Sequence, residues 1–150
     1  MTRIEKTIEI KAPVEKVFAY VIDVENFIKN QPPEMTSEVL RKDEGPQRVG
    51  FRSTIRAKAG GHVWEVEDET TELVKNKKYA GRQKGGSIKK MEHIDLFEPT
   101  KQGTKLTSIL EYELPYSLLG KIVDAIKVRK DIEKSMDYSN KKTKEDLEKE

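Results

Sequence analysis

Ile4-Glu5-Lys6-Thr7-Ile8-Glu9-Ile10 alternates apolar and polar side chains, Ala12-Pro13 ends the alternation, and Val14, Val17, Phe18, Val21 and Ile22 then recur at three- and four-residue spacing. The first run predicts a half-buried strand and the second a short amphipathic helix. Pro13 suits that helix's first turn, where its missing N–H has no helical partner to lose. Asp23, whose carboxylate can accept from a free N–H of the next turn, opens a second short helix over about 24–30, which Pro32-Pro33 closes.

From Met35 onward the pattern changes. Stretches 36–43, 50–58, 63–74, 77–83, 88–97 and 104–114 read as strands parted by Glu44-Gly45-Pro46, Gly60-Gly61, Gly85-Gly86 and the loop 98–103. Strands joined by such short turns form an antiparallel meander. Pro115 breaks the last of them. From Leu118 to about Lys149 there is no Pro and no Gly after Gly120, and the apolar residues return to helical spacing. At ~1.5 Å per residue that helix spans about 45 Å, enough to cross a whole sheet.

This order resembles the helix-grip superfamily, often labelled SRPBCC, which includes START-type lipid-transfer domains, the birch-pollen-allergen type and the polyketide cyclase/dehydrase family. The matching stretches are Ile8-Glu9-Ile10-Lys11-Ala12-Pro13-Val14-Glu15-Lys16-Val17-Phe18-Ala19-Tyr20-Val21, Arg48-Val49-Gly50, Phe97-Glu98-Pro99 with Gly103-Thr104, and Glu111-Tyr112-Glu113-Leu114-Pro115. The resemblance implies an α+β helix-grip fold: a strongly curved antiparallel sheet of about seven strands, in β-α-α-β6-α order, wrapped around a long C-terminal helix. It also implies a ligand cavity between sheet and helix. The fold is expected to occupy residues 1–150 as a single domain. Its last eight or so residues are expected to fray, because Leu147 is the one large apolar residue among 141–150.

Composition narrows the chemistry. The 150 residues carry 29 Lys+Arg, 27 Asp+Glu and 35% hydrophobic residues. That is too polar for a membrane span yet apolar enough for a core, so no integral membrane association and a cytoplasmic location are expected. With no Cys there is neither a thiolate metal site nor a Cys nucleophile, and His62 and His93 alone supply imidazole. No metal, no cofactor and no motif-fixed catalytic set is therefore expected. Gly81–Gly86 lacks the Gly-Lys-Ser/Thr ending of a phosphate loop and precedes a strand.

Charge also sets register. A loop from Ala59 to His62 pairs Arg56 with Glu65 and Arg52 with Glu69 on the outer face. Phe51, Ile55, Trp64, Val66 and Asp68 then face inward. Ile122, Ala125, Arg129, Ile132, Met136, Ser139, Thr143 and Leu147 form one stripe on the last helix, with Leu119, Val123 and Ile126 beside its first half, which is therefore expected to be the better anchored. The expected cavity wall is Phe51, Ile55, Trp64, Val66, Asp68, Tyr112, Ile122, Ile126, Arg129, Ile132 and Met136. Arg129, the one cation of the stripe, must meet water, a carboxylate such as Asp68, or an anionic head group, because it cannot discharge. On 88–97, Ile94 and Leu96 claim one face while Met91, His93, Asp95 and Phe97 claim the other, which a bulge could reconcile. His93 and Asp95 resemble a base and its orienting carboxylate, but no recognised motif ties a nucleophile to them.

The segment 75–90 holds seven Lys or Arg and no acid, and 65–72 holds five acids and no base. Cross-strand neutralisation explains both; a basic hairpin meeting phosphates, with Tyr79 stacking, is the alternative. The expected function is binding or transport of a hydrophobic or amphipathic small molecule: a lipid, an isoprenoid or a polycyclic compound. The alternatives are a cyclase/dehydrase-type enzyme acting on such a ligand, and a nucleic-acid or protein interaction module. No nucleic-acid partner is expected, and the protein should be a monomer or weak dimer.

Overall fold

A computed structural model describes residues 1–86, 88–114 and 122–149, the side chains of 122–124 excepted. The elements are β1 (Thr2–Ile10), α1 (Val14–Val21), α2 (Val24–Lys29), β2 (Thr36–Lys42), β3 (Arg52–Ala59), β4 (His62–Val74), β5 (Lys78–Gly85), β6 (Lys90–Pro99), β7 (Thr104–Glu113) and α3 (Ile122–Glu148). The strands form one antiparallel sheet in the order β1-β7-β6-β5-β4-β3-β2, which is the helix-grip arrangement of a curved sheet around a C-terminal helix. The expected break at Pro115, the expected helix start at Leu118, and Leu119 lie outside the described residues.

Local signals account for most of the boundaries. Asp23 Oδ1 accepts from Glu25 N at 2.9 Å and caps α2. Gly60 and Gly61 have φ of +56° and +80°, the left-handed pair a two-residue hairpin turn requires. The β3–β4 register places Arg52 opposite Glu69 and Arg56 opposite Glu65, with Arg52 Nε 3.0 Å from the Glu69 carboxylate. The chain closes when β1 pairs with β7, from Thr2 opposite Tyr112 to Ile10 opposite Thr104.

The main core lies where α1 and the end of α3 meet β1, β6 and β7. Val17, Ile10, Leu106, Phe18 and Phe97 pack there, with the two Phe rings edge to face at 5.1 Å. Leu147 joins this cluster and Thr143 is buried beside it. Around them the Tyr20 hydroxyl donates to Asp146 Oδ2 at 2.6 Å, Lys29 pairs with the same carboxylate at 2.8 Å, and Glu148 accepts from Lys11 N at 2.8 Å.

These contacts bear on two expectations about the last helix. The helix runs to Glu148, and one apolar residue on the right face and a ring of polar contacts hold its C-terminal end. Ile126, expected to help anchor its first half, is 50% exposed, and the side chains of Leu119 and Val123 lie outside the described residues. The β6 register runs without a shift against both neighbours, so the bulge is corrected. Met91, His93, Asp95 and Phe97 face inward, and Ile94 and Leu96 take the outer face.

Tyr79 cannot stack on a nucleic acid either, because it is buried with Phe97 and Leu106. The basic segment lies against acids, as Arg82 stands opposite Glu69, Lys84 opposite Glu67, and Lys78 Nζ is 2.8 Å from Glu72.

Candidate functional site

α3 packs closely on β1 and α1 and stands away from the middle of the sheet. The gap is a cavity of about 390 Å³ bounded by β2–β7, α1, α2 and α3. That volume falls within the range of small-molecule sites, about 300–1,000 Å³.

Of the expected wall residues, Ile55, Trp64, Val66, Asp68, Ile132 and Met136 line it. Phe51, Tyr112, Ile126 and Arg129 are not among its lining residues. Phe51 is buried with Val24 and Ile55 in a neighbouring cluster, under the Arg48 guanidinium. Tyr112 is 1% exposed, opposite Thr2 and Met91 in the sheet and near Arg129 and Glu133 of α3. Ile126 faces solvent, and the Ile122 side chain lies outside the described residues. Arg129 is corrected as well: its Nε is 2.9 Å from Glu133 Oε1, on the rim where Glu133 also takes Lys6. A guanidinium that cannot shed its charge is cheaper to keep in such a wet pair than to bury.

The sheet floor carries a polar row that sequence reading assembled only in part. His93 Nε2 lies 2.8 Å from Asp68 Oδ1, with side-chain exposures of 18% and 11%. The partner of His93 is thus Asp68, not Asp95. Asp95 Oδ1 instead accepts from the Ser108 hydroxyl at 2.9 Å, and the same hydroxyl is 3.4 Å from Asn140 Oδ1. Asp68 on β4 and His93 on β6 touch across β5 because Gly81 stands between them. A Cβ at Gly81 would overlap His93 Nε2 and come within 3.2 Å of Asp68 Oδ1. Tyr79 supports the imidazole edge to face at 5.3 Å between ring centroids.

Sequence reading also missed Tyr20, Asn30, Gln83, Ser108 and Asn140 as lining residues. The signal within reach was Gly81, which leaves a gap on the inner face of β5 between Tyr79 and Gln83.

The electrostatics follow from this packing. Burial disfavours the imidazolium of His93, but the hydrogen bond to Asp68 and the charges of Asp68 and Asp95 outweigh it, so His93 titrates above its ordinary 6.5. Burial pushes the Asp95 carboxyl up, against the pull of His93 and the Ser108 hydroxyl. Burial, then Asp68 and Asp95, also raise Tyr79.

A pKa raised on folding adds stability that is complete below the unfolded value and disappears as pH rises through the folded one. The stability gap between wild type and His93→Gln should therefore be widest near about pH 6 and narrow by about pH 9. Urea titrations of both proteins across that range check this, and a gap that widens with pH would contradict the assignment. Such a pair can exchange a proton with a ligand or hold a polar group. Among the described residues no group of His, Asp and Glu has the arrangement of a metal site, and no helix is long and apolar enough to cross a membrane.

Comparison with known proteins agrees with this architecture. Protein CV1439 from Chromobacterium violaceum superposes with a TM-score of 0.77 at 19% identity, covering 97% of each chain. A START superfamily protein from Mycobacterium smegmatis gives 0.72 at 18%, covering 98% of this chain and 97% of that one. The di-domain ARO/CYC StfQ from the steffimycin biosynthetic pathway gives 0.77 at 14%, with 98% of this chain matching 50% of that one. At such identities the likeness shows the fold alone. No curated protein matches the chain. The family model described as "Polyketide cyclase / dehydrase and lipid transport" covers residues 1–148, and the chain belongs to that family.

Proposed function

We propose that the protein binds an amphipathic small molecule in this cavity: a lipid, an isoprenoid or a polycyclic compound. The apolar skeleton lies against Ile55, Trp64, Val66, Ile132 and Met136, and the polar group meets the Asp68–His93–Asp95 row. The observation that carries this reading is an apolar-walled space of about 390 Å³ with buried polar side chains on its floor. An apolar body with a few placed polar groups is the pattern of a ligand site. The binder acts in the cytoplasm as a monomer or weak dimer.

Denaturing mass spectrometry of the protein purified from its native host should reveal a retained small molecule. Titration with fatty acids, isoprenoids and flat polycyclic compounds should quench or blue-shift Trp64, the single Trp. Trp64 emission that no class of compound moves would count against the reading.

A second reading is favoured by one observation, the 2.8 Å Asp68–His93 contact inside the cavity. In it His93 transfers a proton to or from the bound ligand while Asp68 orients the ring, as in a cyclase or dehydrase. Conversion of a bound compound by the purified protein, lost in His93→Gln, would establish it over simple binding.

Nucleic acid is not proposed as a partner, since the acids of β4 answer the basic charges of β5. Fluorescence anisotropy with a labelled duplex at physiological salt should show negligible binding. A salt-dependent affinity weakened by replacing Lys77, Lys78 and Arg82 with Gln would reverse this.

A further inference from the structure

The cavity's charge is at odds with that of the chain. The sequence has a net charge of +2, yet Asp68 and Asp95 lie on the cavity floor, the exposed Asp23 and Asp131 stand at its rim, and among the described lining residues there is no Lys or Arg. Nearby cations are committed elsewhere: Lys6 to Glu133, Lys29 to Asp146, and Lys134 to Glu34. The two inner carboxylates are also unequal. Asp68 has the imidazole of His93 at 2.8 Å, whereas among the described residues Asp95 takes its hydrogen bond from the neutral Ser108 hydroxyl. Aromatic residues also line it, Trp64 and Tyr79 on the sheet side and Tyr20 and Phe27 on the helical side.

We infer that the ligand carries a protonated nitrogen on an apolar, ring-containing body, and that Asp95 is its counter-ion. This rests on the cavity being the binding site. An anionic head group would meet desolvated carboxylates with a single imidazolium to offset them. A neutral one would leave Asp95 short of a cation. An ammonium supplies that charge and hydrogen-bonds to the carboxylate, beside Tyr79, which stands opposite Asp95 on β5. Burial raises the Asp95 carboxyl above its ordinary value against the pull of His93 and the Ser108 hydroxyl, and an ammonium held against it would draw it back toward the charged form.

The test is isothermal titration of the whole chain at neutral pH with three probes sharing one skeleton: naphthylmethylamine, naphthylmethanol and naphthoate. The amine should bind at least about tenfold more tightly than naphthoate and severalfold more tightly than the alcohol. Asp95→Asn should collapse the amine-to-alcohol ratio toward one. Naphthoate binding as well as the amine, or a ratio that survives Asp95→Asn, overturns the inference while leaving the cavity as a binding site. Failure of all three probes to bind counts against the cavity reading itself, and the inference falls with it. Should Asp95→Asn not fold, the ranking on the wild-type protein decides alone.

Discussion

Leu147→Ala should cost about 2–5 kcal/mol of folding stability, although the residue lies within four positions of the end of the sequence. Leu147 is 7% exposed and closes the cluster of Phe18, Phe97 and Leu106 from the helix side. Truncation leaves a cavity that α3 cannot fill by shifting. Its neighbours on the helix are held by Tyr20 and Lys29 through Asp146, by Lys11 through Glu148, and by Glu9 O through Lys144. Urea denaturation followed by circular dichroism measures the loss. A change under about 0.5 kcal/mol, the range of ordinary surface substitutions, would mean that the helix end is frayed.

Gly81→Ala should be nearly as damaging, at about 2–3 kcal/mol, by a different route. The added methyl would occupy the space of His93 Nε2 and Cε1 and crowd Asp68 Oδ1. Relief requires the imidazole to swing off its hydrogen bond, which leaves the carboxylate of Asp68, 8% exposed, without that partner. The substitution carries a spectroscopic signature as well. His93 owes its raised titration to Asp68 in large part, so its ring-proton titration should fall back toward 6.5 or below. Wild-type stability together with a wild-type His93 titration would contradict the crossing of β5 described here.

The fold was legible because its signals are local and periodic. Alternation in Ile4–Ile10, the Ala12-Pro13 stop, Gly60-Gly61 and the charge pairs Arg52–Glu69 and Arg56–Glu65 each set one boundary or one register. The inward face of β3–β4, Asp68 included, followed from that register. The polar row was less legible because its decisive contact is not local. His93 reaches Asp68 two strands away through the gap at Gly81, and a sequence shows the glycine without the neighbour that needs it. On α3 the stripe containing Ile132, Met136 and Thr143 was readable from spacing, but Arg129 shares that spacing and lies past the end of the cavity. Periodicity gives a face and not how far along it the cavity extends. Leu147 shows the opposite limit of a sequence count. Counting apolar residues near the end of the chain says nothing of the contacts made by the one that remains.

The central claim is that small molecules enter the space between α3 and the sheet and settle against the polar row. The two histidines provide a direct test, since His93 lies on the floor of the cavity and His62 is exposed at the β3–β4 turn. In proton NMR, titration with naphthylmethylamine and naphthylmethanol should shift the ring resonances of His93 in a saturable way and leave those of His62 in place. Resonances of His93 that stay still at saturating probe, or that move only in step with those of His62, would contradict it.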